Sequence, residues 1–141
     1  MANRITTPVT INSSQFGEVE LQPDNIFYFE NGMLGFENLN NFVLISDDDI
    51  VPFKWLMSVE EPDIMFPLIS PWLVLPDYDP GKGIDIDKQV LFAVVTFNDG
   101  KGHITCNLKA PVILSSLELL GEQRILSFER YHVDHIINKL A

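Results

Sequence analysis

His103 lies three residues before Cys106, a spacing at which an imidazole can draw a proton from a thiol and leave a nucleophilic thiolate. No third group is signposted to orient that histidine, and a lone cysteine more often ends as an inert core residue. His132 and His135 flank Asp134; on one helix face, two imidazoles and a carboxylate are ligands that zinc accepts. Zincins, however, space their histidines four apart and follow the first with a glutamate. The stretch from Asp77 to Lys88 fails as a calcium loop. Counted from Asp77, Lys82 stands where the loop needs glycine and Lys88 where it needs a bidentate glutamate. Asp47-Asp48-Asp49 reads as a solvated turn. There is no phosphate-cradling glycine loop and no nucleophile elbow. The residues predict a protein that is not an enzyme and takes no metal and no cofactor. The rival reading is a small metal-binding enzyme built on His103, Cys106, His132 and His135.

The apolar residues carry more information. Met33 and Leu34 sit between Gly32 and Gly35, and glycines three apart permit a tight turn with positive φ that presents both side chains at its tip. Exposing them is costly unless the protein's own core or a partner covers them, and methionine adapts readily to an apolar partner surface.

These residues are positioned by strands. Val19 and Leu21 alternate with Glu18 and Glu20, so one face is buried and the other wet. The runs 26–29, 42–45 and 91–95 are β-branched or aromatic and are bounded by turn formers such as Pro23-Asp24, Asn31-Gly32 and Asp99-Gly100. Phe53, Trp55 and Met57 share one side of a further strand. Prolines 62, 67, 71 and 76 exclude a helix through that region. Only the C-terminus has helical spacing: Val133, Ile136, Ile137 and Leu140, with Asp134 in the first turn and Lys139 in the last. Short strands separated by turns, with one terminal helix, predict an antiparallel sandwich or small barrel forming a single domain over 1–141.

Composition narrows the function. Of 141 residues 46% are hydrophobic and 21% charged, so the chain can bury a core and is not disordered. The net charge is −11, with 20 acidic against 9 basic residues. Nucleic-acid affinity comes largely from Lys and Arg along phosphates, so direct nucleic-acid binding and docking on an anionic membrane are not expected. A basic protein partner suits such a surface, because complementary charge steers encounters. The longest apolar stretch, Ile64 to Leu75, is broken by Pro67, Ser70 and Pro71, and falls short of the ~20 residues that cross a bilayer. A polar, Thr-rich N-terminus and a single cysteine point to the cytoplasm.

Four segments resemble one family. Phe29-Glu30-Asn31-Gly32-Met33-Leu34-Gly35-Phe36-Glu37 is similar to the F-x-x-G-[IL]-[PL]-G-F-E element of the flagellar assembly factor FliW family. Pro52-Phe53-Lys54-Trp55-Leu56-Met57-Ser58-Val59-Glu60-Glu61-Pro62 resembles its P-F-x-W-L-Q-S-x-x-[DE]-P. Phe66, Pro71 and Pro76-Asp77-Tyr78 continue in order, and the segment Thr105 to Ile113 resembles its T-x-N-L-x-A-P-[IV]-[IV]. Departures are Met57 for glutamine, Met33-Leu34 for the usual Ile-Pro, and a more apolar tail from Arg130 to Ala141.

The resemblance implies a small antiparallel β-barrel-like fold and a cytoplasmic, non-enzymatic protein that binds flagellin and the RNA-binding regulator CsrA. Flagellin that accumulates unexported would titrate the factor and free CsrA to repress flagellin translation. A flagellin-only chaperone is the alternative. The partner surface is expected to have an apolar centre of Met33, Leu34 and Phe36, with Glu60, Glu61, Asp77 and Tyr78 for charge and orientation. Phe53 and Trp55 are expected to support it from beneath, and Asn107 to satisfy nearby main chain.

Overall fold

The computed structural model describes residues 4–138. Its strands run in the order β1 (Val9–Ser13), β2 (Gly17–Leu21), β3 (Ile26–Tyr28), β4 (Asn41–Ser46), β5 (Lys54–Ser58), β6 (Met65–Ile69), β7 (Gln89–Thr96), β8 (Thr105–Ser115), β9 (Leu120–Gln123) and β10 (His135–Ile136). Strands β3 to β8 pair as antiparallel neighbours, and β9 pairs with both β8 and β3, closing a seven-stranded barrel. Seven strands cannot alternate direction all the way round a ring. One pairing must be parallel, and it is β3 with β9, joined at Tyr28 and Leu120, where the Tyr28 amide donates to the Leu119 carbonyl at 2.8 Å. The seam of the barrel is therefore its narrowest pairing.

Over much of β4 to β8 the barrel wall is buried on both faces, which is why β7 and β8 read as nearly continuous apolar runs rather than as alternating ones. Phe29, Phe42, Leu56, Leu68, Phe92, Val112 and Leu114 point inward and form the interior core. Their neighbours Val43 and Met57 point outward, under the β1–β2 hairpin, which lays Ile11 and Leu21 on them. Ile69, Leu91, Ala93, Val95 and Ile113 point outward on the other flank and are covered by Tyr78, Leu126 and Tyr131. The Asp63 carboxylate, before β6, accepts the Ser14 amide at 2.8 Å and ties the hairpin to the barrel. That bond holds the Asp63 pKa below the ordinary carboxylate value.

Between the pairs Phe92–Val112 and Val94–Asn107, β8 carries three more residues than β7 and bulges out of the wall. Asn107 Oδ1 accepts the Lys109 and Ala110 amides inside this bulge, at 3.1 and 2.9 Å. The outer edge of β8 is covered along its length. β10 pairs with Thr105 and Cys106, the Leu108 amide donates to the His132 carbonyl, Leu126 and Arg124 donate to Lys109 and Pro111, and β9 covers the rest.

That edge explains a correction. The expected C-terminal helix is absent over the described part of its span. His135 and Ile136 are a strand, the Ile137 amide donates to the Ile104 carbonyl, and Val133 and Ile136 are exposed. An uncovered β8 edge offers backbone hydrogen bonds that local helical spacing does not outweigh. Lys139 and Leu140 lie outside the described residues. The one α-helix among the described residues is a single turn, α1 (Pro71–Val74), and it falls where the prolines were expected to forbid one. Pro71 occupies its first turn, where no intrahelical amide donor is required. No helix among the described residues is long and apolar enough to cross a membrane.

Candidate functional site

The segment from Phe29 to Asn40 connects β3 to β4 across one end of the barrel. The Phe29 amide donates to the Asn40 carbonyl at 2.7 Å, and Asn40 Nδ2 donates to the carbonyls of Phe29 (2.7 Å) and Glu30 (3.1 Å). Inside this frame Met33 and Phe36 bridge each other, with Leu34 and Gly35 at the turn. Gly32 has φ +65°, and a Cβ there would run into the Phe36 carbonyl, so the chain can turn only with glycine at this position.

The turn divides Met33 from Leu34. Met33 is 1% exposed and belongs to the interior core, whereas Leu34 is 47% exposed. The expectation that both are displayed is corrected for Met33: it plugs the mouth of the barrel from inside. Phe36 is half-buried, edge-on to Phe66 at 5.2 Å. Leu34 is held by Gln123, whose Oε1 accepts the Leu34 amide at 3.0 Å while its Nε2 donates to the Ala110 carbonyl at 3.1 Å. One side chain thus staples the turn to β8. Leu34 stands between two depressions. One, of about 230 Å³, is the barrel mouth, with Phe66, Val94, Asn107 and Val133 in its lining.

The other, of about 530 Å³, runs beside the seam between the β3–β4 segment and β9. It is lined by Glu30, Glu37, Glu118 and Glu122, with Leu34 and Leu120 as apolar surface, and no Lys or Arg lines it. It continues past Gln89, Ser115 and Glu118 into a depression of about 400 Å³ that adds Leu117 and Lys88. Gly121 lies in its wall, and a Cβ there would strike the buried Phe29 ring. Glu122 pairs with Arg124, and Arg4 donates to the carbonyls of Glu118 and Leu119 beside the seam. Sequence reading missed Gly121, Glu122 and Gln123 altogether, because Leu-Gly-Glu-Gln shows neither β-branched residues nor alternation. Only the isolated glycine was a signal.

The other expected site residues divide between places. Glu60 and Glu61 lie in the β5–β6 turn, at the same end of the barrel as Leu34. Glu60 is exposed, yet its carboxylate accepts the amides of Asn40 (3.2 Å) and Asn41 (3.0 Å) and Asn41 Nδ2 (2.9 Å), so it anchors the segment that carries Leu34. Glu60→Ala should cost about 1–2 kcal/mol in urea unfolding, because two amides of buried residues lose their acceptor, while Glu61→Ala should leave stability unchanged. Equal stability of the two variants would show that solvent replaces the carboxylate in full.

Asp77 and Tyr78 belong to the β6–β7 connection, which leaves the opposite end of the barrel. Asp77 lines a separate depression of about 280 Å³ with Arg130, His132 and His135. Tyr78, expected at the surface, is 4% exposed, and its hydroxyl donates to the Leu108 carbonyl at 2.8 Å. Burial raises its pKa, so the phenol stays a donor. Phe53 and Trp55 are half-buried, each edge-on to Phe97.

The candidate catalytic and metal-ligating residues do not assemble. Cys106 is buried against the β6–β8 flank, and desolvation pushes its thiol up to about 12, which keeps it protonated and unreactive at neutral pH. His103 pairs with Asp99 in an exposed turn at 3.4 Å. No three or more His, Cys, Asp or Glu side chains among the described residues could hold a metal ion together.

Fold and surface together define a small closed β-barrel, clad on both flanks, with an acid-lined groove beside the exposed Leu34. A model of the FliW protein family matches residues 10–137. The flagellar assembly factor FliW of Thermotoga neapolitana is 37% identical over 139 aligned residues, covering 92% of this chain and 93% of that protein. The same factor from Thermoanaerobacter pseudethanolicus is 36% identical over 137, covering 90% and 91%. A crystal structure of the flagellar assembly factor FliW superposes with a TM-score of 0.80 at 28% identity, covering 92% of this chain and 96% of that one. The chain belongs to the FliW family of flagellar assembly factors, which is not an enzyme family and works through protein partners.

Proposed function

We propose that this protein binds flagellin in the cytoplasm and antagonises the translational regulator CsrA, so that the amount of free flagellin sets the amount of free regulator. Family membership supports the assembly role. The observation that carries the surface assignment is Leu34, exposed on a turn stapled by Gln123 and bordering a groove that Glu30, Glu37 and Glu122 also line, on a chain of net charge −11. A regulator that holds RNA needs a basic face, and complementary charge speeds encounter with it. Each partner depletes the other by mass action if their sites overlap, or through a coupling free energy of ~1–3 kcal/mol if they do not.

Two departures from the family pattern do not touch this surface. Met57 is fully buried under the β1–β2 hairpin, and Met33 lies in the interior core, so both alter packing rather than a partner-facing patch. Leu34, at the position where the family usually has proline, is the departure that a partner would meet.

Binding of purified flagellin and of purified CsrA, each measured by calorimetry, tests the proposal. Leu34→Asp should weaken binding at least tenfold and leave the thermal midpoint nearly unchanged, because the side chain is half in solvent already. Wild-type affinity for CsrA should also fall as salt rises from low to physiological ionic strength. Binding of neither protein would overturn the proposal, and binding of flagellin alone would leave a flagellin-only chaperone.

A further inference from the structure

The acid-lined groove lies beside an incomplete stretch of barrel wall. β9 is joined to β3 at one residue pair, Tyr28 with Leu120, and then runs on to Gln123 while the chain after Tyr28 turns away to bond Asn40. The alternation of hydrogen bonds with β8, in which the Arg124 amide donates to Pro111, directs the Gln123 amide away from β8 and into the groove. A strand edge with polar backbone facing a groove is a template for another strand. Around it Glu30 and Glu37 supply negative charge, Glu122 shares its own with Arg124, and Leu34 and Leu120 supply apolar surface.

The geometry points to strand addition: the groove takes an extended segment of a partner protein, with basic and apolar side chains alternating, as a short added strand on the free edge of β9. Main-chain hydrogen bonds to β9 give affinity, and the two faces of the added strand give specificity, since successive side chains point to opposite sides. Leu120 and Glu122 share one face of β9, so basic side chains of the added strand meet Glu122 there, and apolar ones on the opposite face meet Leu34, which Gln123 holds on that side. With Leu120 already paired to Tyr28, the free edge runs from Gly121 to Gln123 and limits the added strand to about three residues, roughly 10 Å. The inference rests on the partner-binding reading above and names how that surface binds.

The test is an amide NMR titration of the full chain with a synthetic, end-capped decapeptide of alternating lysine and valine. The expected result is shifts confined to Glu30–Leu34 and Leu120–Gln123, with slowed hydrogen exchange at the Gln123 amide. Glu30→Lys with Glu122→Lys should weaken binding at least tenfold. The same decapeptide N-methylated at alternate residues, with charge kept and backbone donors removed, should also bind at least tenfold more weakly. Equal binding of the methylated peptide, shifts elsewhere, or no binding of either peptide would overturn strand addition. If the decapeptide fails while flagellin and CsrA still bind, only this inference falls. If the decapeptide binds as described while neither protein does, the groove stands and the functional proposal falls.

Discussion

Replacing Gly121 by alanine should cost about 3 kcal/mol and lower the thermal midpoint by about 10 °C, although only one methyl group is added. The position lies on β9 opposite Leu114 of β8, and its inner side is filled by the Phe29 ring. A Cβ there would overlap three ring carbons. The ring cannot retreat without cost, because it is fully buried and packs edge-on to Phe42 at 4.8 Å. Neither can β9, because it is the strand that closes the barrel. Overpacking of a rigid core normally costs about 1–3 kcal/mol, and the upper end applies where both sides of the clash are pinned. Shrinking the opposing ring provides the control. In the double variant Gly121→Ala with Phe29→Leu the two costs should not add, and the shortfall measures the contact. Urea unfolding of the four proteins of this cycle checks it. Simple additivity would show that the seam opens to admit the methyl group and that β9 is not pinned.

Tyr78→Ala should cost about 3–5 kcal/mol, the range for emptying a buried aromatic site. Tyr78 holds the β6–β7 connection onto the flank of the barrel. Its ring lies 4.6 Å from that of Tyr131 and 5.9 Å from that of Trp72, and its hydroxyl reaches Leu108. Tyr78→Phe should cost about 1–2 kcal/mol, since packing is kept and one buried carbonyl loses a donor. The two variants separate a pillar from a partner contact. A contact residue would leave the unfolding midpoint in place and change only affinity. Burial raises the Tyr78 pKa above its ordinary 10, so its contribution is whole below pH 10 and is lost as pH rises beyond that. Cys106 acts with the same sign from about pH 9 to about 12. Stability should therefore decline above pH 9, and Tyr78→Phe should make that decline shallower.

Much of the wall of this barrel was legible in the sequence. The runs at 26–29, 42–45 and 91–95 fall on β3, β4 and β7, because β-branched and aromatic residues fit a pleated surface wherever it is buried. Four segments resemble the FliW family, and the glycines at 32 and 35 place the turn around Leu34. The candidate site was legible only in part. Met33 and Leu34 are adjacent and chemically alike, yet one fills the barrel mouth and the other faces solvent. Tyr78 and Glu60 read as contact residues because both are polar, but each satisfies backbone groups that the sequence does not show to be nearby. The terminal helix was expected from spacing alone, and the open edge of β8 overrode it.

Residue order determines, without any tertiary knowledge, an anionic strand-rich chain, the tight turn at Gly32-Met33-Leu34-Gly35, and the lack of a recognisable catalytic motif. Those follow from local sterics, side-chain periodicity and charge, which act over a few residues. Closure of seven strands through one parallel seam, the stapling of Leu34 by Gln123, and the gathering of Glu30, Glu37, Glu118 and Glu122 about one groove belong to the folded chain. Leu34 and Gln123 are 89 positions apart, and only the free energy of packing the whole barrel brings such residues together.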